Sequence, residues 1–124
     1  MADTQTSFGY AASPRMWEES ALDSVAKEAN VGAALIHNID IDNQSNAIVY
    51  VKVYYKAAGD VVVGTTDPDE IIPVPTLTRQ NHVMIQASDA QMPTAITLAA
   101  VTTGGTAGTS NPAGGSVAVR VTIE

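Results

Sequence analysis

Between Leu35 and Lys56 the sequence reads LIHNIDIDNQSNAIVYVKVYYK, two segments of alternating apolar and polar residues separated by the polar run Asn43 to Asn46. A period of two is what a strand with one buried face requires, and an amphipathic helix does not produce it. In the first segment Leu35, His37, Ile39 and Ile41 fall on one side and Asn38, Asp40 and Asp42 on the other. In the second, Val49, Val51, Val53 and Tyr55 form the expected inner row, against an outer row of Tyr50, Lys52, Tyr54 and Lys56. Asn43, Gln44, Ser45 and Asn46 suit a chain reversal, because Asn and Ser side chains hydrogen-bond locally to turn backbone. The expectation is a β-hairpin. Val and Ile together number 23 against four Leu, with 13 Thr besides. Branching at Cβ fits a pleated surface better than a helix, so the inference extends to an all-β chain.

Further along, Ile71 to Thr78 (IIPVPTLT) carries Pro73 and Pro75, which remove ladder donors and restrict the segment to a sheet edge. His82 to Ser88 reads as a strand with Val83 and Ile85 inward, and Ala95 to Thr103 as another. The run Gly104 to Gly115 (GGTAGTSNPAGG) reads as a flexible hairpin tip built from turn residues. Ser116 to Glu124 alternates, with Val117, Val119, Val121 and Ile123 in and Ala118, Arg120 and Thr122 out. Short strands at this spacing describe an antiparallel β-sandwich of about seven strands, with a barrel as its rival. At 124 residues the chain suits one domain able to bury roughly two-thirds of its unfolded surface.

Residues 1–20 are read as an N-terminal arm and 21–124 as the sandwich domain. Phe8, Tyr10 and Trp17 are half of the six aromatics, in a segment too short and polar to enclose them. They are the candidate partner-docking residues. For residues 14–28 periodicity leaves two readings open. One is a helix capped by Ser13 with Pro14 in its first turn; the other, adopted from the all-β context, is a helical turn near 14–20 followed by a strand at about 22–28.

With 13 acidic against six basic residues the net charge is −7, a field that repels phosphate and argues against nucleic acid as a partner. No apolar run is long enough to span a bilayer, and MADTQTSFGY has no signal-peptide pattern, so neither membrane nor secretion is expected. Cys is absent, which removes disulfides and thiolate metal sites. His37 and His82 stand alone rather than at ligand spacing and read as structural. Asp67, Asp69 and Glu70 lack a calcium-loop pattern and read as a solvated loop, and Asp40 and Asp42 as solubilising strand residues. The glycines at 104, 105, 108, 114 and 115 match no phosphate-cradling spacing. No catalytic residue, metal or cofactor is assigned, and the chain is not expected to be an enzyme. Tyr50 and Tyr54, two apart on the outer row, would form a surface platform about 7 Å long for a protein or a sugar, unless a second sheet or the arm covers them.

From Asn46 to Pro75 the sequence NAIVYVKVYYKAAGDVVVGTTDPDEIIPVP resembles a segment of a group of small bacteriophage structural proteins. The matching positions are Val51, Lys52, Tyr54, Lys56 and Ala57, then Val63, Gly64, Thr65 and Pro68, then Ile72, Pro73, Val74 and Pro75, followed by the Gly/Thr/Ala-rich C-terminal segment. The first 20 residues have no counterpart in it. The resemblance implies a β-sandwich virion component without enzymatic activity or cofactor. The leading expectation is a capsid decoration or cement protein on the virion surface, assembled in the host cytoplasm. Its partners would be the major capsid protein and further copies of itself, a trimer being favoured. The alternatives are a tail, neck or baseplate protein, and, from a different class, a carbohydrate-binding module for host recognition that uses Tyr50 and Tyr54.

Overall fold

A computed structural model describes residues 14–84 and 93–124. They form β1 (Arg15–Glu19), β2 (Lys27–Asn30), β3 (Ile36–Asn43), β4 (Val49–Tyr54), β5 (Glu70–Val74), β6 (Thr78–Val83), β7 (Ile96–Val101) and β8 (Val117–Ile123), with a 3-10 turn at Ala58–Asp60. The strands make two four-stranded antiparallel sheets, β1-β8-β3-β6 and β2-β7-β4-β5. The antiparallel β-sandwich expected from the sequence is therefore the fold observed. Its order is nested: β1 pairs with β8, β2 with β7, β3 with β6 and β4 with β5. The chain thus runs as one antiparallel ribbon, and rolling that ribbon brings β8 against β3 and β7 against β4. This is the strand order of an eight-stranded jelly roll.

The space between the sheets is filled by alternate residues of each strand. Ile39 and Ile41 of β3 and Val117, Val119, Val121 and Ile123 of β8 meet Val49, Val51, Val53, Ile72, Val74, Leu98 and Ala100 of the second sheet, all of them buried. Both inner rows expected on β4 and β8 are in place. The edge expected of the two prolines is also observed, since β5 is the outermost strand of the second sheet. Asn43 shares the parity of Ile39 and Ile41 and is likewise fully buried. Its Nδ2 donates to the carbonyls of Ala47 (2.9 Å), Val74 (3.2 Å) and Pro75 (3.0 Å), while its Oδ1 accepts from Ser45 N (3.0 Å) and Oγ (2.7 Å). One asparagine satisfies two loops at the corner where the chain changes sheets.

Several expectations are corrected. Residues 35–56 do form two strands, but these lie in different sheets, so Asn43 to Ile48 is an arch between layers rather than a hairpin turn. Alternation fixes which face is buried and says nothing about which strand lies alongside. His37 faces outward instead of inward, because a bulge between Ile36 and Asn38 places one extra residue on β3 opposite β8. Val83 is exposed, and Thr78, Gln80 and His82 of β6 lie opposite the inward residues Asn43, Ile41 and Ile39. Ile85 lies outside the described residues. The segment 104–115 connects β7 and β8 across the two sheets and is no hairpin tip.

The boundary at residue 20 also moves. Residues 15–19 are strand rather than helical turn, paired with β8 from Arg15↔Ile123 to Glu19↔Val119. Trp17 is half-buried against the core and so belongs to the sandwich rather than to a docking arm. Instead of a strand over 22–28, Leu22 plugs the core from a loop, its N–H donating to Val117 O at 2.9 Å, and β2 begins at Lys27. Across the sandwich edge the Arg15 guanidinium donates to Asn30 Oδ1, tying β1 to β2. Deleting residues 1–19 removes β1 with Trp17 and should lower the melting temperature by about 10 °C or more relative to deleting 1–13. Circular dichroism melts of the two truncations check this, and equal melting temperatures would show that β1 contributes nothing to the fold.

Candidate functional site

The two outer faces of the sandwich differ. On the second sheet Lys52 and Tyr54 of β4, and Thr97, Ala99 and Val101 of β7, are fully buried although they point away from the core. The cover is the protein's own loops. Residues 55–69 and 102–110 fold over this face, where Lys52 Nζ donates to the carbonyls of Thr106 (2.9 Å) and Gly108 (2.8 Å). Thr97 Oγ1 donates to Lys56 O (2.8 Å) and Thr106 Oγ1 to Asp67 Oδ1 (3.2 Å). Gly104 lies against the Tyr50 ring, and a Cβ on Gly108 would stand 2.0 Å from the Thr103 carbonyl, so close approach requires glycine there. The platform expected of Tyr50 and Tyr54 is therefore absent: Tyr50 is half-buried and Tyr54 has no exposed surface. A central strand roofed by loops has no face left for a ligand. The Tyr54 hydroxyl has no hydrogen-bond partner among the described residues.

Burial lowers the pKa of Lys52, since an ammonium withdrawn from water is disfavoured unless donors and acceptors match. Two carbonyls recover part of that cost and pin the loop. In Lys52→Met, volume and reach are kept while both hydrogen bonds and the charge are lost. Global stability should change by no more than about 2 kcal/mol, in either direction, because desolvation is relieved as the bonds are lost. Amide exchange in 102–110 should nevertheless rise at least tenfold. Unchanged exchange in that loop would show that the ammonium does not hold it.

The outer face of the first sheet is open. Strand register aligns Glu18, Arg120, Asp40 and Asn81 in one row across all four strands, and Ala118, Asp42 and Arg79 in the next. Arg79 forks onto Asp40 (Nη2–Oδ2 2.6 Å, Nε–Oδ1 3.3 Å), and Arg120 Nε donates to Glu18 Oε2 at 2.7 Å. The hydrogen bond to Asp40 raises the Arg79 pKa further. Between these side chains lies a depression of about 50 Å³ lined by Asp40, Asp42, Arg79, Ala118 and Arg120. It suits ordered waters rather than a substrate. This flat, ion-paired surface is a candidate for a polar contact with another macromolecule.

A third cluster closes the sandwich between β5 and β6. Tyr55 and Glu70 continue the inner rows of β4 and β5, and His82 meets them from β6. Tyr55 Oη donates to Glu70 Oε2 (2.8 Å), and His82 Nε2 lies 3.2 Å from Glu70 Oε1. The Tyr55 amide donates to Asp69 Oδ2 (2.7 Å). His37 is occupied elsewhere, 2.6 Å from the Glu124 carboxylate. Among the described residues no three His, Asp or Glu side chains converge as metal ligands, and no helix is long and apolar enough to cross a membrane. The Tyr55 phenol is raised by burial first, then by its hydrogen bond to Glu70 and the charges of Glu70 and Asp69; burial raises Tyr54 as well. A raised folded value contributes stability that is complete below the unfolded phenol's pKa of about 10 and is lost as pH rises through the folded value. Lys52, lowered in the fold, acts in the opposite sense, its contribution being lost as pH falls. The wild type should lose stability above about pH 10, and Tyr55→Phe should flatten that loss while costing about 1 kcal/mol at neutral pH. Chemical denaturation at several pH values checks both.

Of the residues singled out in the sequence, Trp17 packs on the core, Tyr50 and Tyr54 lie under loops, and Phe8 and Tyr10 lie outside the described residues. None of the three described residues is brought together with another into a site. Asn43, Lys52 and Glu70 went unrecognised, although Asn43 and Glu70 share the parity of buried isoleucines and valines on their own strands. Together these features define an eight-stranded jelly-roll sandwich with one roofed face and one open, charged face. Comparison with models of known protein families, with curated proteins and with solved structures finds no match.

Proposed function

We propose that this protein is a structural component of a bacteriophage virion, a decoration or cement protein that binds the outside of the head shell. The observation that carries the reading is the strand order, β1-β8-β3-β6 over β2-β7-β4-β5. Jelly rolls of this order recur in viral capsid domains and in lectins. The lectin branch loses its stacking residues here, because Tyr54 is buried and Tyr50 packs on Gly104. The resemblance of residues 46–75 to small phage structural proteins points the same way as the fold. The flat outer face of the first sheet, with Glu18, Asp40, Arg79 and Arg120 in fixed ion pairs, offers a preorganised polar contact for a shell protein. In this reading residues 1–13 supply a second contact, Phe8 and Tyr10 being two large rings in a short polar segment. The protein acts as an oligomer, a trimer on a local symmetry axis being the arrangement favoured.

Mass spectrometry of purified particles, heads separated from tails, tests the assignment. The protein should be recovered with heads in fixed ratio to the major capsid protein. Heads lacking it should bind the full chain and lose at least tenfold in affinity for the chain without residues 1–13. Recovery with tails alone, or absence from particles, would overturn the decoration reading.

A further inference from the structure

The four loops at one end of the sandwich are 20–26, 44–48, 75–77 and 102–116. Backbone hydrogen bonds knit them together: Leu77 N to Ser45 O (3.1 Å), Gln44 N to Ser116 O (2.8 Å) and Leu22 N to Val117 O (2.9 Å). Ser24 N also donates to Asn111 Oδ1 (2.9 Å). The chain carries 19 Lys, Arg, Asp and Glu residues, yet these loops contain one, Asp23, and its carboxylate is occupied by the Val25 amide at 2.9 Å. Three large apolar side chains stand exposed here, Leu77 at 63%, Val25 at 60% and Ile48 at 47%. At the opposite end Val31 and Val62 are comparably exposed, but the 55–69 loop there also carries Lys56, Asp60, Asp67 and Asp69, so the two ends differ in charge.

Leu77 adds an independent observation. Its φ is +51°, the only positive φ on a non-glycine residue among the described residues. A leucine in the left-handed region is strained by contact of Cβ with the backbone, and glycine or asparagine would hold the same turn without that strain. The Leu77 side chain is largely exposed, so its packing among the described residues recovers little of that strain. The Asn43 network fixes both flanking loops, so Leu77 and Ile48 are held in place rather than free to fold back.

We infer that this uncharged loop end is the surface through which copies of the chain associate with one another. Each copy carries a net charge of −7, and carboxylates are spread over the open face, the sheet edges and the opposite end. Two such molecules meet the fewest opposing carboxylates at this end, where Asp23 is the one acidic residue of the loops and the exposed side chains are otherwise uncharged, Leu77, Ile48 and Val25 among them. Depletion of charge around a few apolar anchors is the character of an interface core. The inference rests on the oligomeric part of the proposed function and not on its virion part.

Sedimentation velocity on the purified full chain, from micromolar to hundreds of micromolar, tests it without any particle. The wild type should associate, and raising the salt should hold or strengthen association, since screening reduces repulsion between acidic copies. Leu77→Gly should weaken association at least tenfold while leaving the diluted monomer's melting temperature unchanged or raised, an outcome a merely structural Leu77 would not give. Ile48→Glu should weaken it similarly, and Val62→Ser, at a comparably exposed apolar residue of the opposite end, should not. A wild type that stays monomeric throughout, association indifferent to both loop variants, or dissociation by salt or by Val62→Ser would overturn the inference.

Discussion

Every central strand must pair both of its rows of backbone groups, and here the partners come from opposite ends of the chain. β8 is held between β1 and β3, and β7 between β2 and β4, so the first and last strands complete one sheet together. Neither half of the sequence can satisfy its ladders alone. The consequence is an ordered dependency. Among the described strands, β4 and β5 are the only consecutive pair that lie side by side in one sheet; every other consecutive pair lies in opposite sheets. Pairings that close long loops must be offset by the apolar rows that meet when the ribbon rolls, which ties backbone satisfaction to the Val and Ile content of β3, β4, β7 and β8.

That crossing pattern explains where polar residues are tolerated inside. At each crossing the backbone leaves a ladder with carbonyls and amides unpaired, and burial makes those groups costly unless a side chain reaches them. Asn43 does this between β3 and β4, with Ser45 beside it, and its three donations also bind the β5–β6 corner. Lys52 does it beneath the β7–β8 connection, where an ammonium takes two loop carbonyls. Asn30, by donating to Gly32 O (2.9 Å) and accepting from Arg15, does it between β2 and β3. Polar groups inside this sandwich serve the corners rather than a reaction.

Much of the fold was legible in the sequence because period-two alternation is a direct consequence of burying one face. Val49, Val51 and Val53 and the row from Val117 to Ile123 lie where alternation puts them, and Pro73 and Pro75 mark the edge correctly. What alternation could not give was the neighbour of each strand. Asn43 to Asn46 looks the same in a hairpin and in an arch, since both reverse the chain with the same residues. β1 and β6 were obscured for a different reason: RMWEE and TRQNHV are edge strands whose inward residues are mostly polar or only partly covered. The outward row of β4 was misread because the same Tyr-Lys-Tyr alternation serves a solvated face and one roofed by distant loops. Only the Gly- and Thr-rich composition of 102–110, small enough to lie flat on a sheet, hinted at the roof.

The two sheets thus divide the chemistry of the surface. The central strand β7 of the roofed sheet is buried on both faces, which is why ITLAAV reads as an almost continuous apolar run. The open sheet keeps its alternation apart from the β3 bulge, and on its outward rows Arg79 pairs with Asp40 and Arg120 with Glu18 across strands. Charge is then free to be absent elsewhere. With most of its described carboxylates on one face, the edges and one end, the acidic chain leaves the other end, with Leu77, Ile48, Val25 and the single loop carboxylate of Asp23, least subject to the repulsion that keeps the rest of its surface apart from its own copies.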